Sequence, residues 1–275
     1  MSRFYILWLL SLCAPALNNA QFSGSLNVDR LPEPDECGTL KPDQLYNLEK
    51  ISDSDEFPWM ARLRYNFSNV ITYNNCLAVL ISKRFLVTAA HCLHETTPDA
   101  VKFGNCEEKC TIIKHIDKLI VHPDYVTGVI KNDIGLIRLK QPIRYAYYMR
   151  PICLPSVDLS EEGFVAQHLM STGIVRNSRE SNKRFLLVVD LDHCRQIFFR
   201  NVLDDSLLCA NTCDNGSRFI SGSALMAVNA TRNKASNYYF VGLLTNGINE
   251  CLDYTPDIFQ RIDVYVDWIR NIVQR

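Results

Sequence analysis

A hydrophobic run, Leu86-Val87-Thr88-Ala89-Ala90, ends on His91-Cys92. Imidazole can take and return a proton near neutral pH without help from its surroundings, so His91 is the first place to look for acid–base chemistry. A histidine base accomplishes little alone. It needs a nucleophile to deprotonate, an acceptor to fix its tautomer, and donors where negative charge will develop. The chain offers an aspartate in a compact motif, Asn132-Asp133-Ile134-Gly135-Leu136, and candidate nucleophiles at Ser217 and Ser221 within the stretch from Cys209 to Met226. The plainer alternative is that His91 and Asp133 form a buried hydrogen-bonded pair without catalytic use.

Such groups must be held by a rigid frame. From Glu56 onward, short apolar or alternating runs recur between turn signals, at 77–81, 85–89, 119–121, 135–139, 185–189 and 240–244. That density of short strands indicates an all-β barrel or sandwich. The end differs: between Val264 and Val273 apolar residues recur at helical spacing, which predicts a C-terminal amphipathic helix. Residues 21–45 are polar, broken by Pro32, Pro34 and Pro42, and carry a single cysteine, Cys37. They read as a leader tied down by one disulfide, and no separate N-terminal module is expected. The expected organisation is a signal peptide over 1–20, this leader over 21–45 and one large domain over 46–275.

The signal reading rests on Arg3, the apolar stretch Phe4 to Leu12 and the small residues Ala14-Pro15-Ala16 or Asn18-Asn19-Ala20. Secretion agrees with cysteine usage: of eleven cysteines, Cys13 lies in the signal, leaving ten for five disulfides. Three glycosylation sequons, at Asn66, Asn215 and Asn229, point the same way. No later segment is long and apolar enough to suggest a membrane span. The 29 basic and 30 acidic residues nearly cancel and form no basic stripe, which argues against nucleic acid. His94, His115, His122, His168 and His193 are scattered, so no metal site and no cofactor are expected.

Taken together, Glu56-Phe57-Pro58-Trp59-Met60-Ala61, the run to His91-Cys92, the Asp133 motif, Pro151-Ile152-Cys153-Leu154-Pro155 and Tyr265-Val266-Asp267-Trp268-Ile269 resemble the landmarks of the trypsin/chymotrypsin family, in its order and near its spacing. The cysteine-tethered leader and the close pair Cys106 and Cys110 are similar to secreted arthropod cascade proteases. The resemblance implies two six-stranded antiparallel β-barrels with the active site between them. It makes His91 the general base and Asp133 the acceptor of its Nδ1–H. Anchoring on Ala224-Leu225-Met226 makes Ser221 the nucleophile; anchoring on Cys213 leaves Ser217 open as the alternative. It further implies pairings of Cys76 with Cys92, Cys37 with Cys153, Cys194 with Cys209, Cys213 with Cys251, and Cys106 with Cys110.

The departures from the family pattern are concentrated around the chemistry. Phe219 stands where a glycine would form half of the oxyanion hole with Ser221, and its side chain is expected to crowd the cleft. Ile220 stands where an aspartate would receive the new N-terminus after zymogen cleavage. That N-terminus maps to Tyr46, in Leu45-Tyr46-Asn47-Leu48, without the basic residue and Ile-Val-Gly-Gly of the family. Lys50-Ile51 reads as an ordinary surface pair. In the specificity pocket the floor maps to Asn215, the substrate-pairing strand to Thr245-Asn246-Gly247, and one wall to Asp257. A carboxylate there would partly fill the pocket or recruit a base into it. Leu77 and Ala78 replace two glycines after Cys76. The expectation is a secreted protease homologue with impaired catalysis, a monomer that binds a protein partner in an extracellular proteolytic pathway. The alternative is an active serine endopeptidase using His91, Asp133 and Ser221.

Overall fold

The computed structural model describes residues 29–274 except 46, 48, 54, 74, 95, 105–110, 156–167, 176–177, 179, 212–216, 232–233 and 248–254. Among the described residues, thirteen strands and four helices follow in chain order. The first half carries β1 (Met60–Phe67), β2 (Val70–Thr72), β3 (Leu77–Leu80), β4 (Phe85–Thr88), β5 (Ala100–Phe103), β6 (Ile112–Val121) and β7 (Gly135–Leu139). The second half carries β8 (His168–Ile174), β9 (Ser181–Val189), β10 (Leu207–Ala210), β11 (Ala224–Thr231), β12 (Lys234–Gly247) and β13 (Asp257–Arg261). Helices α1 (Pro42–Leu45), α2 (His91–His94) and α3 (Leu191–Ile197) are short, and α4 (Ile262–Val273) ends the fold.

The sheets close as two antiparallel barrels. In the first, β1-β3-β4-β7-β6-β5 form a ring because β5 returns to β1, with Arg62 opposite Lys102; β2 is appended to β1 outside the ring. In the second, β10-β13-β12-β11-β8-β9 form the ring. Closure removes open strand edges, and the alternation along β1 shows how it works: Ala61, Leu63 and Tyr65 point inward while Arg62 and Arg64 reach the surface. Runs such as Leu77–Leu80 and Phe85–Thr88 are buried on both faces, which is why they read as continuous apolar stretches.

Each barrel has its own interior. Phe219, Leu225, Val241, Leu244 and Phe259 belong to the core of the second. The first core continues through Phe57, Trp59 and Tyr238, three rings with centroids 5.6–6.0 Å apart, into the buried face of α4 formed by Ile262, Tyr265, Val266, Ile269 and Val273. An ion pair between Glu56 and Lys183, both side chains almost wholly buried, ties the segment before β1 to β9 of the second barrel. The leader is fastened by Cys37–Cys153 and by a bridge from Thr39 to Asn237 of β12.

Candidate active site

His91 opens α2 directly after the buried end of β4, and Cys92 bonds to Cys76 at the start of β3. The base is therefore fixed from both sides by first-barrel core. Asp133 lies just before β7, following Asn132 at φ +58°. Its carboxylate takes two bonds from the same residue: the His91 backbone N–H donates to Oδ1 at 2.9 Å and ring Nδ1 lies 2.7 Å from Oδ2. A carboxylate at that distance holds the proton on Nδ1, leaving Nε2 to accept one. Asp133 is 6 % exposed, so water competes little for the pair.

The positioning of this pair draws on residues that sequence reasoning missed. The Tyr265 hydroxyl of α4 lies 3.1 Å from Asn132 Oδ1 and 3.1 Å from Gln260 Oε1. Gln260 is fully buried and donates through Nε2 to Ile130 O and to Thr245 Oγ1. Thr245 is thereby turned inward, its hydroxyl directed at Ile258 O, rather than toward a substrate. A buried glutamine between two motifs was the available signal.

Ser221 sits at a turn between the second barrel and the first. Its carbonyl accepts from Leu77 N–H at 2.9 Å, and Leu77 follows Cys76, whose disulfide ends beside His91. The next residue, Gly222, has φ +88°, and a Cβ there would lie 2.0 Å from Leu77 O, so the turn admits only glycine. This chain of contacts joins the Ser221 turn to the loop bearing His91. The Ser217 carbonyl accepts from Arg184 Nη1 at 3.1 Å.

The residues before Ser221 take unexpected directions. Phe219 does not crowd the cleft. Its ring is 4 % exposed in the second-barrel core, with the Arg184 guanidinium 4.5 Å above it, because an apolar ring gains more by burial than by facing water. Ile220 is seated in a small apolar cluster with Leu77 and Ile174, and its N–H donates to Ile174 O at 2.9 Å. Leu77 thus helps to hold this segment, and Ala78 is fully buried in the first core.

Where the specificity pocket is expected, Gly247 and Asp257 pair across β12 and β13. Asp257 is wholly buried, and Arg218 turns in to meet it, Nε to Oδ1 at 2.7 Å. The contact is off the hydrogen-bond angle and acts as an ion pair; Arg218 Nη2 also donates to Thr255 O at 3.3 Å. A Cβ on Gly247 would come within 2.1 Å of Asp257 Oδ1 and 3.0 Å of Arg218 Nη1, so both side chains press against that wall. The wall carboxylate has recruited its base from within the chain.

Other expected positions divide plainly. Cys194–Cys209 is formed. Asn66 lies exposed at the end of β1, and Asn229 lies in β11. Tyr46, Cys106, Cys110, Cys213, Asn215 and Cys251 lie outside the described residues. Ile51 is half exposed and bridges to Asn182 at the start of β9. Among the described residues, one grouping has metal-ligand atoms in proximity, Cys76, His91 and Cys92, but its sulfurs are joined in the disulfide and have no thiolate to offer.

The family described as Trypsin matches residues 50–269. The chain belongs to the trypsin family. Among its relatives, Serine protease ea of Drosophila melanogaster is 30 % identical, the match covering 89 % of this chain and 71 % of that protein. The Spaetzle-processing enzyme of the same fly is 31 % identical, covering 88 % and 70 %. Phenoloxidase-activating factor 3 of Holotrichia diomphalia is 27 % identical, covering 89 % and 76 %. The crystal structure of the Drosophila Grass clip serine protease of the Toll pathway shares the fold, with a TM-score of 0.74 at 21 % identity over 92 % of this chain and 78 % of that one. Against the trypsin-family pattern, the His91–Asp133 pair has the expected geometry, while the segment 218–220 and the Asp257 wall carry the departures.

Proposed function

We propose that this trypsin-family chain is a secreted protein with impaired peptidase activity that serves by binding a protein partner within an extracellular proteolytic pathway. The observation that carries this reading is the Arg218–Asp257 pair. Two side chains of the chain itself lie against Gly247 where a substrate side chain would enter, and Asp257 is fully buried beneath Arg218. Ile220 supports it further, since an apolar residue has no charge with which to fix a new N-terminal ammonium. The relatives named for processing and activating other proteins support a polypeptide partner rather than a small substrate. Loss of one oxyanion donor alone slows acyl transfer by about a hundred- to a thousandfold.

A second reading, an active endopeptidase, is favoured by the His91–Asp133 geometry and by the turn that presents Ser221. A fluorogenic peptide library incubated with residues 21–275 separates the two. We expect cleavage no greater than that of the Ser221→Ala variant. Sequence-selective cleavage that disappears in Ser221→Ala would establish the enzyme instead.

A further inference from the structure

The end of β1 and the short strand β2 form a hairpin outside the first ring, and among the described residues β2 pairs with β1 alone. Its tip carries three apolar side chains, Phe67, Val70 and Ile71, between 47 and 67 % exposed. An apolar edge strand left open is a template for pairing with a second chain, a liability that native proteins cover or blunt. We infer that the cover here is a sugar: an N-linked glycan on Asn66 whose first N-acetylglucosamine packs on Ile71. The inference rests on the secretion proposed above, because this modification is made on chains entering the secretory route. It is independent of whether the chain cleaves peptides.

The register supplies the geometry. Ser68 and Asn69 lie at φ +47° and +70°, positive at both central positions as a type I′ turn requires, and Phe67 opposes Val70 across them. The next pair along the ladder is Asn66 with Ile71, directly opposite and so on the same face. In a two-residue hairpin this second pair is the non-hydrogen-bonded kind, whose side chains approach most closely, with Cβ atoms about 4.5–5.5 Å apart. Ile71 is thereby the cross-strand neighbour of the Asn66 amide. On the other face Phe67 is stacked on Tyr65, ring centroids 6.4 Å apart, so part of its area is already in use.

Asn66-Phe67-Ser68 has the acceptor pattern for N-glycosylation, and all three residues are exposed. In the transfer, Asn66 Nδ2 forms a bond to the anomeric carbon of an oligosaccharide carried on a lipid pyrophosphate. The bond from that carbon to the pyrophosphate oxygen breaks, the lipid pyrophosphate leaves with the electron pair, and one Nδ2 proton passes to solvent. The attached sugar has a face of C–H groups that takes Ile71 out of water, while its hydroxyls and the outer sugars keep the tip solvated. Its bulk also obstructs a second strand approaching β2.

The test uses the whole chain secreted from insect cells. The peptide holding Asn66 is read by mass spectrometry before and after peptide N-glycosidase treatment, and we expect Asn66 to carry the sugar. Asn66→Gln should lower Tm by about 2–4 °C, the shift for one lost apolar contact in a domain of this size. It should also populate dimers or larger species in sedimentation velocity. In an Ile71→Thr background the same Asn66→Gln change should leave Tm unmoved, which separates packing of the sugar from a direct effect on the strand. Secretion with Asn66 unmodified overturns this inference and leaves the secretion reading standing, whereas a chain found in the cytosol overturns both. A modified Asn66 whose replacement by glutamine shifts Tm equally in both backgrounds, or in neither, also overturns it.

Discussion

Arg218 and Asp257 hold opposite charges in a space with almost no water, and such a pair is sensitive to losing either member. Arg218→Ser should remove the guanidinium that pairs with the buried Asp257 carboxylate, at a cost of about 3–5 kcal/mol read by chemical denaturation. The same variant should gain binding of p-aminobenzamidine, seen by fluorescence, and recover thermal stability with it; a variant that neither loses stability nor binds the amidine would show that Arg218 does not fill the pocket. Here sequence and structure part in an instructive way. That Asp257 would fill the pocket or recruit a base was readable from its position, because a carboxylate cannot be buried alone. That Arg218 is the base was not readable, since a long side chain's direction depends on neighbours brought in from β12 and β13. Phe219 was misread for a related reason. In sequence it stands two residues before Ser221, but the cluster of Leu225, Val241 and Phe259 in the second barrel takes its ring.

Among the elements, α4 is the one whose periodicity was plain in the sequence, and its buried face follows that spacing from Ile262 to Val273. Its second role, holding Asn132 through Tyr265, depends on hydrogen bonds that no periodicity reveals. The same helix covers His122, whose ring lies 4.8 Å from that of Trp268 and 5.4 Å from that of Tyr265. Burial holds the His122 pKa below its ordinary 6.5, against the pull of Asp124. A histidine with a lowered folded pKa favours the folded state when neutral, so stability falls as pH drops through about 6.5, where the unfolded chain gains the proton first. Thermal melts at pH 7.5 and 5.5 should show this loss, and His122→Phe should reduce it; equal pH dependence in both proteins would contradict the assignment. The turn after Ser221 is a second element-scale feature. Gly222→Ala should destabilise by at least about 3 kcal/mol by denaturant titration, since strain at positive φ adds to a clash with Leu77 backbone.

At the scale of the molecule, the two barrels, the C-terminal helix and the order of landmarks were legible because Trp59, His91, Asp133 and Cys153 each lie in short motifs that survive without context. The longer strands β8 and β11 were not, since their alternation is interrupted or weakly apolar in sequence and made regular only by pairing. Nor was the buried Glu56–Lys183 tie, whose partners are joined only when the barrels pack. Glu56→Gln should cost about 3–5 kcal/mol, whereas replacing both residues by methionine should cost far less, as denaturant melts would show. The whole arrangement presents a trypsin-family frame in which His91 is hydrogen-bonded to Asp133 and the Arg218–Asp257 pair packs against Gly247. Its most direct test is the rate at which a fluorophosphonate labels Ser221 in residues 21–275, followed by mass spectrometry of the labelled peptide. The proposed function predicts labelling at least about a hundredfold slower than that of trypsin, the effect that loss of one oxyanion donor would have. Labelling of Ser221 at a trypsin-like rate, absent in Ser221→Ala, would contradict it.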